Sequence, residues 1–138
     1  MAITSFKGEY DFLSNMYPSI LYIDGEMYPS AEHAFQAAKS LDKDIRLGIS
    51  VCRSAKEAKE AGRLIPLRSD WEDVKVDIMY KILKAKFENS RLADKLKATA
   101  DEDLIEGNTW GDRFWGVCKG EGNNALGNLL MKVRSELT

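Results

Sequence analysis

The stretch Pro29-Ser30-Ala31-Glu32-His33-Ala34-Phe35-Gln36-Ala37-Ala38-Lys39 decides how the chain is read. Pro29 and Ser30 mark a helix entrance, because a serine at the cap accepts a bond from a backbone N–H that the first turn leaves without a partner. At about 100° per residue, Ala31, Ala34, Phe35 and Ala38 form one apolar stripe, and Glu32 and Lys39 fall within about 20° of each other along its edge. They stand two turns apart, roughly 10 Å of rise, with Gln36 between them and slightly further round. A carboxylate and an amine at the margin of a buried stripe are partly desolvated, and desolvation makes ordinary acids and bases reactive. The same spacing also describes a solvated helix edge carrying a long-range charge pair. Spacing alone leaves both readings open. His33 points about 100° away from that edge and reads as a structural contact.

Around this stretch lies a chain of 138 residues, 44% apolar and 30% charged. Such proportions describe a globular protein large enough to bury a core without staples, and a single domain over residues 1–138 is expected. The net charge is −2, from 20 basic and 22 acidic residues that are well mixed along the chain. A sequence-independent nucleic-acid binder needs a basic excess to neutralise phosphates, so that class is disfavoured, while a local basic pocket for one or two phosphates is not. The stretch from Met1 to Lys7 has no apolar core of signal-peptide length, and no run approaches a membrane span. Cys52 and Cys118 stand far apart and suggest no disulfide framework, so a reducing, cytoplasmic setting without a membrane partner is expected. His33 is the sole histidine. This removes multi-histidine zinc sites and, unless His33 itself serves, Ser-His and Cys-His triads.

Taken in order, Ile20 to Ile23, Asp24-Gly25 and Glu26 to Tyr28 predict a β-hairpin, since Asp-Gly suits a turn in which both central residues need positive φ. Phe12 to Pro18 has no clear period and reads as a loop that packs back on the core. Asp42 to Ser50 predicts a short helix or irregular turn. Ser54-Ala55-Lys56-Glu57 is a capping-box pattern, and Gly62 is a natural stop. Ser69-Asp70-Trp71-Glu72 repeats the pattern and opens the longest helix, to about Glu88 or Asn89, with Trp71, Val74, Ile78, Ile82 and Ala85 inward. Met79, Leu83 and Phe87 widen that stripe. A short helix over 91–98 follows, then strands at 103–106 and 113–118 around a Gly- and Asn-rich turn, then a last helix from Ala125 to about Leu137. The order predicts an α+β fold, several helices around a small, mostly antiparallel sheet.

Familiar signatures are absent. Gly111 to Gly116 lacks the Lys-Ser/Thr of a P-loop, Gly120-x-Gly122 has the wrong spacing for a dinucleotide fingerprint, and no Gly-x-Ser-x-Gly elbow occurs. What remains is a set of polar groups at turns and helix ends. Gly120-Glu121-Gly122-Asn123-Asn124 before a helix reads as an anion seat or as a Gly-rich turn with an Asn cap. Trp110-Gly111-Asp112-Arg113-Phe114-Trp115-Gly116 crowds aromatics, glycines and an acid into one turn. An aromatic face there can stack a base, and Asp112 can act as acid, base or electrostatic stabiliser; equally, Trp115 can be core and Asp112 a turn residue. Glu106 falls near the same turn, and Arg63 and Arg68 are phosphate-binding candidates.

Ordered matches run almost end to end: Phe12-Leu13-Ser14-Asn15 with Tyr17-Pro18; Tyr28 through Lys39; Ala58-Lys59 and Gly62-Arg63; Arg68-x-x-Trp71; Ala85-Lys86-Phe87; Leu104-Ile105-Glu106; Asp112-x-x-Trp115-Gly116; and Gly122-Asn123-x-x-Leu126-Gly127 on to Arg134. In these the chain resembles the NADAR (YbiA-like) family. It departs from the pattern at Met16, where an aromatic often follows Ser-Asn, and at Ala100, where a glycine is common.

The resemblance implies an α+β N-glycosidase that cleaves the bond between ribose C1 and a base nitrogen. Two substrate classes are implied: phosphoribosylated pyrimidine intermediates of riboflavin synthesis, and ADP-ribose attached to guanine in nucleic acid. Nucleic acid is then a partner only as an ADP-ribosylated substrate. Such cleavage develops positive charge on the ribose, so the site needs a carboxylate near C1 and a proton for the leaving base. Carried onto this sequence, the catalytic candidates are Glu32, Lys39 and Asp112, with Glu32 first and Asp112 the second acid. Lys39 suits either a binding and proton-donating ammonium or an amine that attacks C1 of the opened ribose as a Schiff base. Substrate-binding candidates are Asn15, Arg63, Trp115, Gly122 and Asn123, with Trp115 stacking the base and Arg63 and the Gly122-Asn123 entrance holding phosphate. No cofactor or metal is called for. A binding module that recognises ADP-ribose without cleaving it is the alternative from another class.

Overall fold

Four of the α-helices begin where a polar side chain takes up backbone N–H groups that the first turn orphans. The computed structural model describes residues 2–137; Met1 and Thr138, the ends of the expected 1–138 domain, lie outside the described residues. Ser30 accepts from the His33 N–H at 3.1 Å and opens α1 (Ala31–Ala37). Asp42 accepts from Asp44 and Ile45 and opens α2 (Lys43–Ser50). Ser54 accepts from the Glu57 N–H and opens α3 (Ala55–Gly62), with both ends where the capping box and Gly62 predict them. In α4 (Trp71–Lys86) the entrance differs from expectation: the Val74 N–H bonds to the Asp70 carbonyl, so Asp70 rather than Ser69 stands at the cap position. Asn89 accepts from Leu92 and opens α5 (Ser90–Ala98). The last helix, α6 (Ala125–Glu136), follows Asn124, whose φ of 53° turns the chain into it without a side-chain cap.

The strands are β1 (Ala2–Ile3), β2 (Pro18–Ile23), β3 (Glu26–Ser30), β4 (Asp103–Leu104), β5 (Gly107–Asn108) and β6 (Val117–Cys118). They form three separate two-stranded pairs and not one sheet. The antiparallel pair β2–β3 is the predicted hairpin, and Asp24 and Gly25 turn it with φ of 51° and 82°. The other pairs, β1–β4 and β5–β6, are parallel and two residues long on each side. Gly8–Leu13 forms a 3-10 helix that buries Phe12 and Leu13, so part of the expected loop is helical. The fold is α+β.

Two compact units make up the chain. The first combines the segment ending at Ser14 with everything from Phe87 onward; the second is Asn15–Lys86. In the first, α6 packs on β4 and α5, burying Leu92, Leu96, Leu104, Leu130 and Val133. In the second, α1 is covered by α2, α3, α4 and the hairpin, and all seven of its residues are buried. The long helix α4 contributes Trp71, Met79, Ile82 and Leu83 to that core, whereas Val74, Ile78 and Ala85 of the predicted stripe are half-buried. Truncating a leucine such as Leu83 or Leu130 to alanine removes about 2–5 kcal/mol of stability.

The helix that organises the sequence ends earlier than its pattern suggests. Instead of running to Lys39, α1 stops at Ala37, and Ala38 and Lys39 form a tight turn in which Lys39 and Ser40 donate to Gln36 and Ala37. The physical reason is tertiary. Arg68 donates from its backbone N–H to the Lys39 carbonyl (2.8 Å) and from Nη1 to the Ala38 carbonyl (3.4 Å), and Arg46 Nε donates to the Ser40 carbonyl (2.6 Å). Carbonyls that would have ended a longer helix are already occupied.

Candidate functional site

Glu32 lies in the first turn of α1, 9% exposed, and its Oε2 accepts from Gln36 Nε2 at 2.6 Å. An i,i+4 pair on a helix places those side chains one above the other. Gln36 is pressed against α3 at Gly62, where any added Cβ would run into its amide. Gly62 is therefore required for space: it lets α3 approach close enough to hold the glutamine that holds the glutamate. The Oε1 atom of Gln36 has no hydrogen-bond partner, and neither does Oδ1 of Asn15, whose backbone carbonyl accepts the Glu32 N–H at 3.0 Å. Asn15 Nδ2 donates to Met79 Sδ at 3.4 Å. Buried amide oxygens without partners are costly, and such atoms in a native fold call for an explanation such as a ligand or an ordered water.

Lys39, on the turn after α1, places Nζ 5.8 Å from the Phe35 ring centroid and forms no ion pair among the described residues. Burial pushes its amine below the ordinary value of 10.5; the charge of Glu32 opposes that shift, and the charges of Arg63 and Lys59 add to it. Glu32 and Arg63 each act electrostatically on Lys39, in opposite directions. Arg63 follows α3 directly, exposed and without an ion pair among the described residues. His33 is structural, as expected: Nδ1 meets Ser30 Oγ at 2.7 Å and Nε2 meets the Cys52 carbonyl at 3.0 Å.

The other unit holds Asp112, Trp115, Gly122 and Asn123 and uses them differently, whereas Arg68 lies in the Asn15–Lys86 unit. Asp112 Oδ1 accepts from the N–H groups of Phe114 (3.1 Å) and Trp115 (2.9 Å), so one carboxylate oxygen is committed to shaping the loop. Asn108 ties that loop together, donating to Glu106 Oε2 (3.0 Å) and to the Asp112 carbonyl (2.8 Å) and accepting from the Asp112 N–H (3.0 Å). Trp115 is half-buried and meets Phe114 edge to face at 4.9 Å and 89°. The expected anion seat at Gly122-Asn123 meets a physical obstacle. N–H groups of Asn123, Asn124, Ala125 and Leu126 donate to the carbonyls of Arg113, Gly116, Phe114 and Trp115, so the α6 entrance is filled by the protein's own loop. Gly122 has a φ of 151° and sits where a Cβ would strike the Gly116 carbonyl, while the Asn123 side chain is exposed. Arg68 is held by Asp70 through Nε (2.6 Å) and Nη2 (3.1 Å), a bidentate pair that leaves little for a phosphate.

Three residues with clear roles were not singled out from sequence. Gln36 was visible as the i,i+4 partner of Glu32. Asn108 lies between Glu106 and Asp112 in a turn where an amide can bridge both. Asn124, taken for a cap, bridges instead: Oδ1 accepts from the Glu106 N–H and Nδ2 donates to the Leu104 carbonyl, both at 2.9 Å. Among the described residues no group of three or more His, Cys, Asp or Glu side chains is placed to hold a metal ion, and no helix is long and apolar enough to cross a membrane.

A desolvated acid beside an amine shifted toward neutrality is the equipment of general acid–base or covalent chemistry. Comparison with known proteins gives that equipment a family. The NADAR domain matches residues 4–138, through both units, and the chain belongs to the NADAR family. It is 41% identical to N-glycosidase YbiA of Escherichia coli (strain K12) over 137 residues, 96% of this chain and 85% of that protein. It is 42% identical over 133 residues to the riboflavin biosynthesis protein VVA0006 of Vibrio vulnificus (strain YJ016), covering 91% of this chain and 35% of that one. The NMR structure of the E. coli protein YbiA matches with a TM-score of 0.86 at 40% identity, covering 99% of this chain and 83% of that one.

Proposed function

We propose that this chain is an N-glycosidase, a hydrolase that breaks the ribose C1–N bond of a phosphorylated N-riboside of the kind formed in riboflavin synthesis. The observation that carries the reading is the buried Glu32 carboxylate, clamped through one oxygen by Gln36 beside two amide oxygens without partners. Relatives named N-glycosidase and riboflavin biosynthesis protein support the reaction and the substrate class. The net charge of −2 favours a small molecule over polymeric nucleic acid.

In the reaction, water adds to C1, the C1–N electron pair leaves with the base nitrogen, and that nitrogen gains a proton. The products are a ribose with a C1 hydroxyl and the free base. Glu32 serves the carbon side. Its carboxylate balances the developing ribose cation and takes the proton of the attacking water, and removal from bulk water strengthens both effects. Gln36 holds the acid in one orientation, and the open oxygens of Gln36 and Asn15 accept from ribose hydroxyls. Lys39 has two chemically consistent roles: its ammonium gives the leaving base a proton, or its neutral amine displaces the base at C1, the C1–N pair leaving with the base nitrogen, after which the C1–O4 bond opens to an imine that water hydrolyses to the sugar and the free amine. Arg63 takes the phosphate. Asp112 is assigned to holding Trp115 in place, not to moving a proton.

The test is incubation with a phosphoribosylated pyrimidine intermediate and, separately, with guanine-linked ADP-ribose, with released base followed by mass spectrometry. Free base from the pyrimidine substrate is the expected result. Release from the ADP-ribosylated substrate alone overturns the substrate class, and binding of either without release replaces the enzyme by a binding module. Borohydride reduction during turnover with intact-mass analysis separates the two roles of Lys39: an adduct establishes the imine, and none at full turnover assigns the ammonium.

A further inference from the structure

A cavity of about 350 Å³ lies within the 15–86 unit on the far side of α1 from Glu32. Ala34, which lines it, is about 160° around the helix from both Glu32 and Gln36. Its volume is at the lower end of ligand-binding pockets, which run from about 300 to 1,000 Å³. Its walls follow from the sequence. Val74, Ile78 and Ile82 recur at four-residue spacing and present one face of α4, and Ile23 closes the side from β2. Opposite them stand Ala34 and Ala38, whose methyls are too small to fill the gap. Small alanine methyls on one side and branched side chains of α4 on the other leave apolar space in which a planar ring can be received.

Half of the titratable side chains lining this cavity are committed to partners, and the other half define an occupant. Asp24 and Lys81 pair at 2.7 Å, and Arg68 is closed on Asp70. Three groups stay open. Tyr28, 3% exposed and lining the cavity, makes no hydrogen bond through its hydroxyl among the described residues, and burial raises its phenol above the ordinary range. Arg46 spends Nε on the Ser40 carbonyl and reaches Glu26 only at 3.5 Å. Asp77 has no ion pair among the described residues. One uncommitted acid, one partly committed base and one phenol balance to no net charge, with an acceptor and donors facing a common space.

We infer that this cavity is a second ligand site, separate from the Glu32 cluster, for a neutral planar heteroaromatic molecule of one or two rings. The rings lie between the alanines of α1 and the isoleucines of α4. An amino or ring N–H of the ligand donates to Asp77, and a carbonyl or ring nitrogen accepts from Tyr28 and Arg46. A carboxylate-bearing ligand would face Asp77, and a cationic one would face Arg46, so neither fits as well.

The test is a methyl-NMR titration of the full chain with adenine and with cytosine, using benzoate and benzamidine as the anionic and cationic counterparts. Saturable shifts at the methyls of Ala34, Ala38, Ile78 and Ile82 are expected with adenine or cytosine. The conservative Tyr28→Phe variant should bind at least tenfold more weakly while keeping its circular dichroism and melting temperature, and Ile78→Trp should abolish binding by filling the slot. Glu32→Gln should leave the affinity within twofold. The inference is overturned if neither base moves these methyls, if the shifts fall instead on the methyl of Met79, which Asn15 contacts, if benzoate or benzamidine binds as tightly, or if folded Tyr28→Phe binds unchanged.

Discussion

The loop around Asn108 closes its hydrogen bonds within itself, on backbone and on the Glu106 carboxylate, whereas the cluster around Gln36 leaves oxygen atoms without partners. Both are built from the same materials: an acid, an amide and a glycine that makes room. In the loop, Asp112 Oδ1 serves two N–H groups and Asn108 serves three partners in Glu106 and Asp112, with Gly116 allowing the close approach. In the helical cluster, Gln36 spends its Nε2 on Glu32, and Gly62 leaves room for its amide, but Oε1 is left over. A satisfied network stabilises a shape; an unsatisfied one holds binding capacity at a cost to stability. The Asp112 loop is thus a closed network, and the oxygens left over beside Glu32 are what the proposed function puts to use.

That division can be broken in order of decreasing cost to the fold. Gly116→Ala should be the most damaging, because its Cβ meets the Glu106 carbonyl and Asn108 Nδ2, and backbone must shift; a loss of about 1–3 kcal/mol in a urea melt is expected. Gly62→Ala meets the end of a flexible side chain, so it should cost less stability. It should nevertheless reduce turnover at least tenfold, because Gln36 must swing away from Glu32.

Next comes Asp112. Alanine there orphans the N–H groups of Phe114 and Trp115 and should cost about 1 kcal/mol, as loss of a helix cap does. Asparagine keeps the accepting Oδ1, so Asp112→Asn should retain both stability and turnover within about threefold. Tenfold or greater loss of turnover in a stable Asp112→Asn protein would return Asp112 to the catalytic group and undo the comparison.

The smallest effect concerns Lys39. Its amine titrates below 10.5 when folded, chiefly through burial, so the charged form disfavours the folded state at neutral pH. Between the lowered folded pKa and 10.5 the unfolded chain binds more protons, and stability rises with pH across that window. Lys39→Met should therefore give a slight gain in melting temperature near pH 7 that shrinks as the pH approaches 10.5. A gain that persisted unchanged would contradict the burial of this amine.

Much of this was legible in sequence where the physics is local. The Ser30 cap, the Asp24-Gly25 turn and both ends of α3 depend on neighbours a few residues away. The parallel pairs β1–β4 and β5–β6 were not legible, because two-residue strands carry no periodicity and their partners are distant or bridged by a loop. Position 69 misled because Asp70, also a capping residue, occupies the entrance, with its carboxylate on Arg68. The end of α1 was set by Arg46 and Arg68, far along the chain and invisible to a periodic pattern. Glu32 and Lys39 were named for their place on one helix edge, but α1 ends at Ala37 and no continuous helix joins them. Asp112 and the Gly122-Asn123 entrance carried the right residue types for chemistry, yet hydrogen bonds that only the fold reveals commit one oxygen of the former and the N–H groups around the latter to structure.

Whether Glu32 carries the chemistry is decided by the release of free base from a phosphoribosylated pyrimidine by Glu32→Gln, compared with the parent chain under the same conditions. Glutamine keeps the size of the side chain and its hydrogen bond to Gln36 while removing the charge. The account predicts at least a hundredfold loss of turnover, within the range of about 10²–10⁴ for a general acid or base, in a protein that melts within a few degrees of the parent. Turnover within threefold of the parent in that folded variant would contradict it and remove Glu32 from the chemistry.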